Sequence, residues 1–218
     1  MHAASKAIIL LVLTAAASTA STLLQGAFAS DDQVELFYFT LNSAGPVMIE
    51  SYGYGGSIVN SINPGGFAAY AALFVLQSGF YVESAFSDGS GDCPPGNLNP
   101  LTGSCADPII QATLPAGDYY LALSVQDNVP VDGFLADGYT QTGNPGFTCA
   151  EGGLTGQFCD VTDPLYRTRT PDWALSFAGV SSVQDVSVPE PPTWWLMPWG
   201  VLAGALTLRP KASGRYCS

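Results

Sequence analysis

Short segments in which apolar residues alternate with small or polar ones, each closed off by glycine or proline, constrain this chain most. Tyr119-Tyr120-Leu121-Ala122-Leu123-Ser124-Val125 is the clearest, with Tyr119, Leu121, Leu123 and Val125 falling on one face. A period of two sends successive side chains to opposite sides of an extended backbone, the mark of a half-buried strand. The same pattern predicts strands over 110–114 and 173–177, and apolar runs predict others over 34–41, 47–52, 73–76 and 81–86. Breakers stand between them: Gly53, Gly55 and Gly56; Pro64-Gly65-Gly66; Asp88-Gly89; Asp132-Gly133; Asp137-Gly138; Asn144-Pro145-Gly146. Leu114-Pro115-Ala116-Gly117-Asp118-Tyr119 reads as a tight strand–turn–strand link, because proline presets φ and glycine is permissive. No helical period of any length is present, and 67–76 is the one ambiguous run. Many short strands without interposed helices predict an all-β domain of two packed antiparallel sheets, a β-sandwich or jelly-roll-like fold.

The two ends read differently from the body. Lys6 precedes an apolar stretch over 7–17, and Ala27-Phe28-Ala29 supplies a small-x-small site before Ser30, so 1–29 is expected to be a secretory signal peptide. At the other end, Val188-Pro189-Glu190-Pro191 leads into an uncharged apolar run over 194–208, and Arg209, Lys211 and Arg215 follow as a basic stop. As a helix that run rises only about 22 Å against a hydrocarbon core of roughly 30 Å. Pro198 would kink it, which suits a segment held briefly in the membrane better than a lasting anchor. Trp194, Trp195 and Trp199 suit the headgroup zone at one end, and the basic residues place the C-terminus on the cytoplasmic side. The expected organisation is a signal peptide over 1–29, a sandwich over 30–182, a spacer over 183–187 and a sorting segment over 188–218.

Charge narrows the partners. Arg167 and Arg169 are the only basic residues between the two end segments, whereas every acidic residue except Glu190 lies there, so the body is more acidic than the chain's net −12. Such a surface repels nucleic acid and anionic lipid. Cysteine usage fits export: Cys93 and Cys105 bracket one Gly/Pro-rich loop, and Cys149 and Cys159 bracket another. Two local disulfides are expected, since a metal site would call for Cys-x-x-Cys spacing or histidines.

Several chemistries are excluded and a few remain. His2 is the only histidine and the body has no lysine, which removes Ser/His/Asp, Cys/His and Ser/Lys arrangements. Glu35, Glu50 and Glu83 leave room for a two-carboxylate hydrolase, although solvated strand and turn positions account for them more simply. The glycine clusters have no following helix or lysine and make no phosphate loop. Asp88-Gly89-Ser90-Gly91-Asp92 alternates oxygen ligands with glycine, so Asp88, Ser90 and Asp92 are the candidate Ca²⁺ ligands. Asp127, Asn128, Asp132 and Asp137 crowd a second stretch, and aspartate before glycine is also an ordinary turn former. No other cofactor is expected. Tyr52, Tyr54, Tyr119, Tyr120 and Tyr139 could stack on sugars or simply fill the core.

The tail resembles the PEP-CTERM sorting signal of bacteria, which implies cutting by a membrane-embedded exosortase. The body is similar, too. Its Tyr52-Gly53-Tyr54-Gly55-Gly56, Pro64-Gly65-Gly66-Phe67, Ala72-Leu73-Phe74, Leu114-Pro115-Ala116-Gly117-Asp118-Tyr119-Tyr120, Asp127-Asn128 and Arg169-Thr170-Pro171-Asp172-Trp173-Ala174-Leu175 resemble the DVUA0089 family of exported bacterial proteins. A more distant likeness is to bacterial pre-peptidase C-terminal domains, which are small β-sandwiches. The chain departs from the family at Ser87-Asp88-Gly89, where an acidic pair is common, and in lacking consecutive arginines at the end of the tail. The resemblance implies no established enzymatic reaction. With two export-type ends and an acidic body without catalytic bases, the expected role is a non-enzymatic component of the cell surface or exopolysaccharide matrix of a Gram-negative bacterium. Its expected partners are the secretion translocon, signal peptidase, exosortase, the inner membrane in transit and exopolysaccharide. A carbohydrate-binding module is the alternative.

Overall fold

Among the described residues, alternation becomes sheet in nine strands. The computed structural model describes residues 21–90 and 106–186. The 7–17 stretch, Asp92, Cys93, Cys105, the 188–191 tetrad, the 194–208 run, Arg209, Lys211 and Arg215 lie outside the described residues. In chain order the elements are β1 (Thr22–Ala27), β2 (Val34–Leu41), β3 (Gly45–Ser51), β4 (Ala69–Gln77), β5 (Phe80–Ser87), β6 (Ile109–Leu114) and β7 (Gly117–Val125). A short helix α1 (Phe147–Glu151) follows, then β8 (Asp172–Ala178) and β9 (Ser182–Asp185). The strands pair antiparallel in two sheets, ordered β1-β8-β3-β6 and β5-β4-β7-β2-β9.

The inward faces make one core, as the alternation requires. From the five-stranded sheet come Phe37, Phe39, Leu73, Tyr119, Leu121 and Leu123; from the four-stranded sheet come Val47, Ile49, Trp173, Leu175 and Phe177. Phe37 meets Trp173 edge-on at 5.3 Å and Phe177 at 5.8 Å, which ties sheet to sheet. The predicted link between β6 and β7 is secured by Tyr119, whose hydroxyl donates to the Pro115 carbonyl at 2.8 Å. The ambiguous 67–76 run resolves as strand: β4 is central, flanked by β5 and β7, and its first six residues are all buried. Burial on both faces removes the polar alternation that would have marked it. Ser84 is the extra residue of a bulge opposite Leu73 and Phe74, and its hydroxyl donates to the Leu73 carbonyl.

Two strands extend beyond the bounds expected for the sandwich. The stretch assigned to a spacer holds all of β9 but its first residue, and β9 pairs with β2 from Phe37↔Asp185 to Thr40↔Ser182. The stretch assigned to the end of the signal peptide contains β1, which pairs with β8 over its whole length, from Thr22↔Phe177 to Ala27↔Asp172. Both are edge strands, where partial exposure leaves a weak apolar pattern. Among the described residues, no helix is long and apolar enough to cross a membrane.

Candidate functional site

The motifs that stood out in sequence meet at one end of the sandwich. Tyr54, between β3 and β4, is fully buried and donates its hydroxyl to Asp160 at 2.8 Å. Arg169 lies across the Tyr54 ring, its guanidinium carbon 3.9 Å from the centroid. It donates to the Tyr54 carbonyl at 2.7 Å and to the Gly66 carbonyl at 2.8 Å. Gly66 has no room for a side chain, since a Cβ there would sit 2.2 Å from the Asp172 carbonyl oxygen. Asp107, also fully buried, accepts from the Ser51 hydroxyl at 2.9 Å, the Tyr54 amide at 3.0 Å and the Gly55 amide at 2.7 Å. The Tyr-Gly-Tyr-Gly-Gly, Pro-Gly-Gly-Phe and Arg-Thr-Pro-Asp-Trp stretches thus form a buried clamp that fastens the loops of this end together. The Asp107 carboxyl, the Tyr54 hydroxyl and the Arg169 guanidinium are all engaged with groups of these loops.

A second fastening holds the long excursion between β7 and β8. Asp31, fully buried, accepts from the Gly146 amide at 2.5 Å and from the Thr148 hydroxyl at 2.6 Å. Asn128 donates to the Asp32 carbonyl at 3.0 Å and accepts from the Gln141 amide at 3.0 Å. Cys149 and Cys159 are joined as expected, with Cα atoms 4.8 Å apart. Closing a loop of this size contributes about 2–3 kcal/mol in the chain-entropy account.

The candidate ligands fare unequally. Asp88 accepts from the Ser90 amide at 2.9 Å and the Ser90 hydroxyl at 2.7 Å, a local turn that also holds its carboxyl below the ordinary range. Among the described residues no three His, Cys, Asp or Glu side chains gather as a metal site would need. Asp127 and Asp132 take positive φ, 70° and 54°, as turn residues do. The three glutamates are scattered: Glu35 receives Gln33 at 2.9 Å, Glu50 receives the Tyr52 hydroxyl at 2.6 Å, and Glu83 lies on the edge strand β5. Of the tyrosines, Tyr54, Tyr119 and Tyr139 are buried and unavailable to a sugar.

Tyr52 and Tyr120 are half-buried, and Tyr120 has aromatic neighbours. On the outer face of the five-stranded sheet its ring lies 5.4 Å from Tyr38 and 4.6 Å from Tyr81, all three half-buried. Register aligns them: Tyr38 pairs with Tyr120, Tyr120 with Phe74, and Tyr81 sits beside Phe74's neighbour Leu76. Tyr38 donates its hydroxyl to Asp118 at 2.9 Å, which adds a polar end to the aromatic row. Sequence reasoning missed Tyr38 and Tyr81; the parity of Tyr38 opposite Phe37 and Phe39 in β2 was the available signal.

The carboxylates make stability pH-dependent in an unusual sense. Burial pushes Glu83, Asp107, Asp127 and Glu151 up from their ordinary values. Asp107 is pushed up against the opposing pull of the Gly55 and Tyr54 amides. Each of these groups holds its proton more tightly in the folded chain than in the unfolded one. Their stabilisation is therefore complete below the ordinary carboxylate value near 4 and is lost as pH rises through the raised values. Asp88 works in the opposite direction, but its contribution is lost only as pH falls below the ordinary carboxylate value of about 4. The thermal midpoint is expected to rise as pH falls from 7 to about 5; a midpoint that falls over this interval contradicts the assignment. A scan against protein-family models finds no match, and a search of the curated proteins finds no similar sequence.

Proposed function

We propose that the protein is an exported, non-enzymatic component of the cell surface or its exopolysaccharide, sorted by its C-terminal segment and cut near Val188-Pro189-Glu190-Pro191 by an exosortase. The observation that carries this reading is the Cys149–Cys159 disulfide inside an acidic body flanked by two export-type ends. Disulfides persist in oxidising compartments, and the tail supplies membrane retention and a basic stop. The polar clamps support it too, since they occupy Asp31, Asp107 and Asp160 in holding loops rather than in presenting an acid and a base. In an exosortase-containing host, Glu190→Ala is expected to trap the protein in the membrane fraction with its tail attached while the unaltered chain loses it. An unaltered chain that keeps 194–208 contradicts the proposal.

The row Tyr38–Tyr120–Tyr81 favours carbohydrate as the ligand of that surface protein. Tyrosine rings stack on pyranose C–H faces, and their hydroxyls, with Asp118, reach sugar hydroxyls. The acidic body selects a neutral polymer over an anionic one. Tyr120→Ala is expected to weaken binding of a neutral polysaccharide by about tenfold, the equivalent of one lost ring contact. Tyr120→Phe should retain most of it; equal binding by the alanine variant refutes the platform.

A further inference from the structure

We infer that the mature protein begins at Ser21, through cleavage of the Ala20–Ser21 bond rather than the bond after Ala29; this rests on the export reading above. The small-x-small motif at Ala27-Phe28-Ala29 sits inside the folded domain. Its first residue ends β1, which supplies an edge of the four-stranded sheet and covers the otherwise bare edge of β8. Leu24 packs against the core. Phe28 is 3% exposed, stacks on Phe67 at 4.8 Å and donates its amide to the Pro171 carbonyl at 3.1 Å.

Gly26 makes the strongest case. A Cβ at that position would lie 2.4 Å from a carbon of the Trp173 indole, so this strand residue is matched to a core tryptophan 147 positions away in sequence. Complementarity of that kind belongs to a segment that stays. Cutting after Ala29 would take away a whole strand, the Phe28 ring and the surface on which Trp173 rests.

The small-x-small site nearest to β1 avoids this loss. Ser18-Thr19-Ala20 stops two residues short of β1 at Thr22. The small residues further back, Ala15-Ala16-Ala17, belong to the apolar stretch that must occupy the membrane while the peptidase works. Hydrolysis adds one water across the Ala20–Ser21 amide, leaving a carboxylate on the discarded segment and a new amino terminus on Ser21. The bond precedes β1 in the sequence, so every residue of β1 is retained.

The test is the N-terminal peptide of the full chain exported by a Gram-negative host, read by mass spectrometry. A start at Ser21 is expected. A start at Ser30, or anywhere beyond Thr22, overturns the inference while leaving export intact. An unprocessed Met1 recovered from the cytosol overturns it together with the export reading, so the two failures are distinguishable. Two variants sharpen the result. Ala20→Tyr should abolish processing, whereas Ala29→Tyr, at an exposed position, should leave the Ser21 terminus unchanged. The reverse pattern refutes the assignment.

Discussion

Replacing Asp107 with alanine is expected to destabilise the folded body by about 3–5 kcal/mol, measured by denaturant titration, which is a large part of a typical domain's stability. The carboxyl is fully buried and takes three donors, the Ser51 hydroxyl and the Tyr54 and Gly55 amides. Alanine takes this acceptor away from all three, and the Ser51 and Tyr54 donors belong to fully buried residues. Asp107→Asn separates charge from hydrogen bonding. Its oxygen can still serve Ser51 and Tyr54, but its NH₂ would then face the Gly55 amide, donor against donor. An intermediate loss of about 1–3 kcal/mol is expected. A loss below about 1 kcal/mol for the alanine variant would show that the clamp contributes little to folding.

Phe28→Ala is the second large effect, also about 3–5 kcal/mol from lost burial and the cavity left behind. The ring is enclosed between Phe67 and the rest of the core, and Phe67 in turn meets Phe158 at 5.9 Å. The loss therefore loosens the link from β1 to the disulfide-bonded excursion. The variant is informative in a second way. If the segment through Ala29 were discarded during export, the substitution would leave the stability of the exported protein unchanged. Equal thermal midpoints for the two exported proteins would thus contradict the place given to β1.

Sequence pattern carried the fold where one face of a strand is buried and the other is not. β2 spans Val34–Leu41 as the pattern predicts, with its even and odd positions alternating in burial. β7 extends the predicted segment back by two residues, to Gly117. β4 was ambiguous because a central strand covered on both sides has no polar face to betray its period. β1 and β9 were missed for the opposite reason, since edge strands show little burial. β1 was further disguised by its position just after the apolar 7–17 stretch. The resemblance motifs were legible as residues but not as a structure: nothing in Arg169 or Tyr54 alone says that one lies on the other's ring. Contacts over more than a hundred positions arise only when the chain closes, as between Asp31 and Thr148. The tyrosine row was half legible, because Tyr120 was visible by parity while its neighbours come from β2 and β5.

On the proposed reading both ends are removed and the sandwich acts outside the cell. The intact mass of the protein recovered from the surface of an exosortase-containing host tests that claim most directly. The expected species starts at Ser21, ends near the Val188–Pro191 tetrad and carries Cys149 and Cys159 as a disulfide. Recovery from the cytosol of the chain from Met1 to Ser218, with both of those thiols free, would contradict it.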